Sequence, residues 1–416
     1  MRIKFSFAII YLLALGFILP ALAQDSTRIK ELEQRIKTLE EKIAQNELEK
    51  LLQEAENAAK EKKEEKKIKT FKGGQRSLQA INPEMSVTGD MYGLYIGNEK
   101  HYTESLRSGA HFRVLGLHLQ SNLDPFSLAK VALEFTPDGF ELGEAYMTLT
   151  RVLPSVSLTI GKFRQQFGVV NRWHAHGLDQ FDYPLALTTI LGEDGLNQAG
   201  LSFDWLMPAF LGDANSFIVQ FTNGQNEQLF GGEFFSFPAV LAHFKSYTDL
   251  TTNTYLEFGL TGMLGRNDKN GYIDGELHTE PYRSTKLAGF DVTLFWQPVN
   301  KALYRSFLWR SELFYADKSL PENNRITAYG GYSYMEYQFN ERWQAGFRFD
   351  YTQPFTINNK DEYLYQLVPY ITWWQSHWVK FRLQYNYLAG KAMNMAEHFI
   401  RMQMVWAMGP HKHERY

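Results

Sequence analysis

The sequence predicts an all-β protein: a 16-stranded antiparallel transmembrane β-barrel that follows an N-terminal α-helical coiled coil. From residue 86 onward, apolar and polar side chains alternate with a period of two in segments of about ten residues, as in membrane barrels. The connections between these segments alternate between short and long. Aromatic residues make up 15% of a chain whose mean hydropathy is only −0.35. A barrel with apolar residues facing lipid and polar residues facing its interior explains all three observations.

Composition excludes several protein classes. The 416 residues include no cysteine and carry a formal net charge of −3. The lack of cysteine excludes a disulfide-stapled fold, cysteine zinc sites, iron–sulfur clusters and a thiol nucleophile. The only long apolar run lies at the N-terminus, which excludes a helical-bundle membrane protein. The near balance of charges gives no indication of nucleic-acid binding.

Residues 1–23 are predicted to be a secretory signal peptide. Arg2 and Lys4 precede an apolar stretch at 5–19, and the small residues Ala21 and Ala23 form a cleavage site. An uncleaved membrane anchor is the alternative, but about fifteen apolar residues are too few to cross a hydrocarbon core of roughly 30 Å. We therefore expect an exported protein.

Residues 24–70 are predicted to form a periplasmic coiled coil, joined to the barrel by a linker at 71–85. Apolar residues recur in alternating steps of three and four, at Ile29, Leu32, Ile36, Leu39 and Ile43. In this register the flanking g positions are basic and the flanking e positions are acidic, at Arg28, Arg35, Lys42 and at Glu33, Glu40, Glu47. Parallel chains would pair opposite charges, so a parallel homo-oligomer is expected. A solvated single helix is the alternative.

Residues 86–416 are predicted to form the barrel. The expected strands are 86–96, 110–120, 128–136, 143–151, 155–163, 198–206, 216–223, 240–247, 255–264, 288–296, 307–316, 327–338, 342–352, 364–374, 378–388 and 398–408. A soluble β-sandwich also alternates, but it seldom needs so many strands of this length with aromatic ends. An even strand number, with short turns at one end and long loops at the other, is typical of outer-membrane barrels.

The connection after the fifth predicted strand is the longest, and by the alternation of connections it is the third outer loop. It reads GKFRQQFG at 161–168, NRWHAH at 171–176, DYPLAL at 182–187 and LGEDGL at 191–196. This stretch, from about 160 to 208, resembles the phosphate-selective porin O/P family, in which a similar strand end leads into a loop that folds into the pore and narrows it. The resemblance implies a pore-constricting third outer loop, a homotrimer and passage of anions such as phosphate.

The resemblance also implies which residues line the constriction. We expect these to be Lys162, Arg164, Arg172, His174, His176, Asp179, Asp182, Glu193 and Asp194. The loop carries more acidic charge than a phosphate pore would favour, whereas the predicted inner wall is basic, at Arg310, Arg348, Lys380, Arg382 and Arg401. We expect a transverse electric field between the acidic loop and the basic wall, which would screen solutes by size, dipole and charge. Ordinary wetting of the interior, with paired charges, is the alternative.

These features together predict an outer-membrane porin of a Gram-negative bacterium that passes small hydrophilic solutes or ions by passive diffusion. No cofactor or metal is expected, because His174, His176, His411 and His413 lack carboxylate partners at a recognisable ligand spacing. No enzymatic activity is expected, because no Gly-x-Ser-x-Gly or similar setting occurs. The alternative is a structural tether: a plugged barrel in outer-membrane lipid, whose coiled coil contacts peptidoglycan.

Overall fold

The computed structural model describes residues 83–97, 107–226, 228–230, 238–267, 271–273, 276–278, 283–320, 325–355 and 361–409, together with Gln34. The chain divides into two units, Met1–Arg76 and Ser77–Tyr416. The predicted signal peptide and the predicted coiled coil, apart from Gln34, lie outside the described residues, as do most of the linker and the tail from residue 410. These assignments therefore stay predictions.

Eighteen strands are present in the described part of the chain. They are β1 (Glu84–Ile96), β2 (Gly109–Asp124), β3 (Ser127–Thr136), β4 (Gly139–Leu153), β5 (Val156–Arg164), β6 (Asn197–Met207), β7 (Ala214–Thr222), β8 (Ala239–Thr251), β9 (Thr254–Asn267), β10 (Gly271–Ile273), β11 (Glu276–His278), β12 (Arg283–Trp296), β13 (Ser306–Ser319), β14 (Arg325–Gln338), β15 (Trp343–Gln353), β16 (Leu364–Ser376), β17 (Val379–Gly390) and β18 (Glu397–Met408). Strands β10 and β11 pair only with each other, in the connection between β9 and β12.

The other sixteen strands form one closed barrel. Each barrel strand pairs with its neighbours in sequence, and β1 closes the ring by pairing antiparallel with β18. The predicted sixteen-stranded antiparallel barrel is confirmed, and every predicted strand overlaps one barrel strand. Because β1 and β18 pair with each other, the sheet has no free edge strand. The backbone N–H and C=O groups of these two strands therefore bond within the sheet and need no partner in lipid.

The distribution of side chains between the two faces is that of a membrane barrel. On β15, Phe347 and Phe349 are 47% and 42% exposed on the outer face, whereas Arg348 and Asp350 are fully buried on the inner face. A soluble sheet would place its charges outward and its phenylalanines inward. The period of two in the sequence therefore reflects apolar residues outside and polar residues inside.

The two ends of the barrel differ. Seven connections, starting with β2 to β3 and β4 to β5, lie at one end, which we call the turn end. The longer connections, including those after β5, β7 and β9, lie at the opposite end, which we call the loop end. Trp343 and Trp373 pack with ring centroids 6.3 Å apart near the turn end, where an aromatic girdle is expected. No helix in the described residues is long and apolar enough to cross a membrane.

Residues 165–196, between β5 and β6, fold into the barrel, and we call them the inner loop. Between 165 and 181, only Arg172 and Ala175 are not buried. The inner loop contains two short 3-10 turns, Val170–Arg172 and Ala175–Gly177, and a helix, Leu185–Leu191, which we call the loop helix. The loop helix contacts the inner faces of β13, β14 and β15.

Part of the barrel interior is an apolar core, which the sequence did not predict. Phe167 and Ile190 of the inner loop belong to one buried cluster with Met263 and Leu287 on the inner faces of β9 and β12. The connection after β7 adds Phe230, whose ring lies so close to Gly265 that a Cβ there would come within 2.3 Å of it. The glycine thus makes room for the ring. Apolar side chains therefore cover the inner face of the barrel as well as the outer face in this region.

Candidate functional site

The inner loop is fixed to the barrel wall by a buried ion-pair network around Arg348. This guanidinium pairs with Asp350 on its own strand at 3.0 Å and with Asp182 of the inner loop at 3.4 Å. It also donates to the Asp182 carbonyl at 2.8 Å. Gln384 on β17 donates to the Asp182 carboxylate at 2.7 Å. Burial alone would raise the pKa of Asp182, but Arg348 and Arg401 hold that pKa below its ordinary value.

A second polar contact involves Asp179 of the inner loop. Its carboxylate accepts a hydrogen bond from the Tyr334 hydroxyl at 2.7 Å and lies 3.8 Å from the Arg310 guanidinium. Arg310 donates to the Tyr334 hydroxyl at 2.7 Å, and its guanidinium stacks 4.7 Å from the ring centroid of Trp173. Arg310, Tyr334 and Arg348 are opposite one another on adjacent strands and form one row on the inner face.

Backbone groups of the inner loop also bind charged wall residues. Arg382 donates to the Leu178 carbonyl at 3.1 Å, and Lys380 donates to the His176 carbonyl at 3.3 Å. Glu312 on β13 accepts from the amides of Val169 and Val170, both at 3.0 Å. These amides are at the start of the first 3-10 turn, where unpaired N–H groups favour a carboxylate.

His174 joins the inner loop to the opposite side of the barrel. Its Nδ1 lies 2.7 Å from Glu134 on β3, and its Nε2 lies 3.0 Å from Glu144 on β4. Lys130 lies 3.5 Å from the Glu144 carboxylate. The inner loop is thus held by charged groups on both β3–β4 and β13–β17.

These contacts correct the expected transverse field. The acidic residues of the inner loop do not face the basic wall across an open space, because Asp182 contacts Arg348 and Asp179 contacts both Tyr334 and Arg310. Arg310, Arg348, Lys380, Arg382 and Arg401 do lie on the inner face, as predicted, but each contacts protein groups there. The arrangement matches the alternative of paired charges in the barrel interior.

Several predicted constriction residues lie elsewhere. Lys162 is on the outer face of β5, opposite Ala145 and Ala199, and its ammonium donates to the Leu142 carbonyl at 2.6 Å. Its assignment to the constriction is therefore wrong: alternation places it on the face opposite Phe163. Glu193 and Asp194 are exposed. The Asp194 carbonyl accepts a hydrogen bond from Arg164 at 3.0 Å.

A cavity of about 460 Å³ lies between the inner loop and strands β4 to β8, and it includes residues of the β4–β5 turn. Its polar lining consists of Arg151, Ser155, Ser157, Gln166, Arg172, Asp204, Ser216, His243 and Lys245. Lys245 pairs with Glu257 on β9 at 2.9 Å, and His243 bonds the Thr261 hydroxyl at 2.8 Å. Of the predicted constriction residues, Arg172 is the one that lines this cavity.

The functional residues that the sequence did not identify are the partners of the inner loop. Glu134, Glu144, Glu312 and Tyr334 all lie on inner faces, between 30 and 155 positions from their loop contacts. The one sign of these partners in the sequence was an acidic or phenolic side chain at a position of a predicted strand that faces the barrel interior. Only the strand register could pair it with the loop. Among the residues that the structure describes, no group of three or more His, Asp or Glu is arranged to hold a metal.

Sequence comparison finds one distant relative. No family model matches the chain. The chain is 28% identical over 280 residues to an uncharacterized protein of Aquifex aeolicus (strain VF5). The match covers 61% of this chain and 57% of that protein, so the chain matches little more than half of the relative's length.

Structural comparison relates the barrel to outer-membrane channels. The anion-selective porin from Comamonas acidovorans superposes with a TM-score of 0.54 at 10% identity, covering 78% of this chain and 99% of that one. The outer-membrane channel DcaP of Acinetobacter baumannii superposes with a TM-score of 0.52 at 10% identity, covering 79% of this chain and 96% of that one. The trimer form of Vibrio cholerae OmpT superposes with a TM-score of 0.51 at 11% identity, covering 78% of this chain and 99% of that one. At these identities the likeness concerns the fold alone: the chain has the fold of outer-membrane porins.

Proposed function

We propose that this chain is a porin of a Gram-negative outer membrane that passes small hydrophilic solutes or ions by passive diffusion. The observation that carries the proposal is the polar cavity beside the inner loop, with its charged and hydroxyl lining on β5 to β8. The inner loop is bonded to β3–β4, to β13–β17 and, through Gln165 and Gln166, to β7, so a passage along the walls at these points would require the contacts to break. We therefore place the solute path in the cavity, past Arg172 and between the inner loop and β5–β8.

The charges around this cavity indicate weak ion selectivity. Arg151, Arg172 and Lys245 contribute three positive charges, whereas Asp204 and the Lys245 partner Glu257 contribute two negative charges. Local charges within a Debye length of roughly 8 Å dominate a narrow passage at physiological salt. The motif resemblance to phosphate-selective porins supports the porin function, but a strong phosphate preference would need a larger excess of cations along the path than this single positive charge.

Single-channel recording of the purified full chain in a planar bilayer tests this function. We expect discrete conductance steps for the wild type. Ser216→Cys introduces the only thiol of the chain into the cavity, and modification with a bulky charged methanethiosulfonate should reduce the step size by at least half. Lys391→Cys, at an exposed position of the loop end, is the matched control and should conduct normally after the same treatment. Unchanged steps in the modified Ser216→Cys variant would place the path elsewhere.

One observation favours the second candidate, a plugged barrel that acts as a structural tether. The apolar cluster between the inner loop and β8–β14 excludes water from a large part of the interior. A tether would show no conductance steps in the same bilayer experiment, whereas its coiled coil would still bind peptidoglycan. The absence of steps from folded, heat-modifiable protein would therefore favour the tether over the porin.

The orientation of the barrel gives a further prediction. We propose that the turn end faces the periplasm and that the chain assembles as a homotrimer. Lys391→Cys at the loop end should then react with an impermeant maleimide on intact cells, whereas Lys301→Cys in the 3-10 turn Val299–Lys301 should react only after the cells are lysed. Labelling of Lys301→Cys on intact cells would reverse the orientation.

A further inference from the structure

His174 occupies a position that only the imidazolium form satisfies fully. Its two ring nitrogens each lie within hydrogen-bond distance of a different carboxylate, at 2.7 Å from Glu134 and 3.0 Å from Glu144. A neutral imidazole has one N–H, so it could donate to only one of them and would set a lone pair against the other. The protonated ring donates to both.

The charged surroundings of His174 decide whether this proton is held. The titratable or charged groups that face it are Glu134 and Lys130 on β3, Glu144 on β4, His118 on β2, Arg164 at the end of β5 and His176 in the inner loop. Burial alone would lower the pKa of His174, but the hydrogen bonds with Glu134 and Glu144 raise that pKa above its ordinary value. The two carboxylates thus outweigh the opposing effect of Arg164.

The position of His174 in the inner loop gives the proton a mechanical consequence. His174 comes directly before the 3-10 turn Ala175–Gly177, and its carbonyl accepts from the Gly177 amide at 2.9 Å. The other anchors of the loop are the arginine and lysine contacts on β13–β17, the carboxylate of Glu312, the hydrogen bonds of Gln165 and Gln166 with β7, and the apolar packing of the loop helix. None of these contacts uses a histidine side chain, the side chain whose ordinary pKa lies closest to neutral pH. A rise of pH ionises the carboxylates of these anchors but removes the proton of His174, so His174 is the anchor that alkaline solution releases.

We propose that His174, clamped between Glu134 and Glu144, is a pH-sensitive latch that holds the segment 173–178 of the inner loop against β3 and β4. The folded protein binds this proton more tightly than the unfolded chain. The stabilisation is therefore complete below about pH 6.5, the pKa of an exposed histidine, and is lost as the pH rises through the higher pKa of the folded protein. Alkaline solution then loosens this side of the loop, and acid fastens it. The latch does not require that the barrel conducts.

Amide hydrogen exchange of the full chain in detergent micelles, followed by mass spectrometry, tests the latch. After correction for the intrinsic effect of pH on exchange, the protection of 173–178 should fall about tenfold between pH 6 and pH 9, which corresponds to the loss of one charge-assisted hydrogen bond. The loop helix, held by apolar contacts, is the internal control and should keep its protection. Because the readout is independent of conductance, failure of the latch and failure of the porin function give different results.

Variants identify the titrating group. His174→Gln should abolish the pH dependence, and Glu134→Gln should move its midpoint to lower pH by about one unit, because one carboxylate no longer stabilises the imidazolium. His176→Gln, and His398→Gln at a histidine that bonds Tyr385 at 2.7 Å, are the matched controls and should keep the pH dependence. Persistence of the effect in His174→Gln, or its loss in His176→Gln, would overturn the proposal.

A measurement on the unchanged protein covers the case in which His174→Gln does not fold. Nitrogen-15 spectra of histidine side chains in the wild type should show both ring nitrogens of His174 protonated at pH 6. A neutral ring at that pH would overturn the latch, because the proposal needs the imidazolium.

Discussion

Arg348→Gln is expected to lower the free energy of unfolding by about 3–5 kcal/mol, a large loss for a single side chain. Arg348 is fully buried between Asp350 and Asp182, and its removal takes away the guanidinium that both carboxylates contact inside the barrel. Such uncompensated charge costs more than the pair contributes when it is intact. Equilibrium urea unfolding in detergent micelles, followed by tryptophan fluorescence, measures the loss.

An exposed arginine provides the matched control. Arg325 pairs with Asp317 on the neighbouring strand, but its side chain is 61% exposed, so Arg325→Gln should cost no more than ~1 kcal/mol. Adding Asp350→Asn to Arg348→Gln should recover part of the stability, because one of the two stranded carboxylates becomes neutral. Equal losses for the buried and the exposed arginine would show that the network does not fix the loop.

Arg172→Glu is expected to have the largest effect on ion selectivity. The change replaces a positive with a negative charge in the lining of the cavity, and the reversal potential in a tenfold salt gradient should move toward cations by a sizeable fraction of ~59 mV, the limit for a monovalent ion. The shift should shrink in 1 M salt, where the Debye length is roughly 3 Å. Planar-bilayer recording measures both quantities.

The same change of charge at a position outside the cavity shows whether ion selectivity depends on charges in the cavity or on the net charge of the protein. Lys391→Glu makes an equal change at the loop end, where the lysine side chain is 59% exposed, and it should leave the reversal potential nearly unchanged. Asp182→Asn should act on stability instead of selectivity, since Asp182 is committed to Arg348 and Gln384. Equal shifts for Arg172→Glu and Lys391→Glu would show that solutes do not pass Arg172.

The strands could be predicted because the alternation of lipid-facing and interior residues is contained within the sequence of each single strand. Alternation along a single strand, such as Phe347 to Asp350, is visible in the sequence, and it identified all sixteen barrel strands. A rule that assigns every apolar side chain to lipid misses the interior apolar core, because Met263 is apolar and yet lies on the inner face of β9, opposite to its exposed neighbour Leu264. Likewise, Lys162 belongs to a loop-like motif in sequence but lies on the outer face of β5.

The contacts of the candidate site were not predictable because they join distant parts of the chain. The sequence showed an acidic loop and a basic wall, but not the distance between them. Asp182 and Arg348 are 166 positions apart, and the fold brings them to 3.4 Å. A water-filled gap and a direct ion pair need the same residue types. Only the three-dimensional path of the inner loop distinguishes the two.

The inner loop also limits the order in which the protein can assemble. Its residues precede most of their partners: Val169 meets Glu312 across 143 positions, and His176 meets Lys380 across 204. Neighbouring barrel strands need only local contacts to pair, whereas the loop has no complete binding surface until β13 to β17 are in place. Apolar side chains such as Phe167 and Ile190 stay uncovered until then. Docking of the loop is therefore a late step, and a chain stalled before β13 would present these side chains to chaperones.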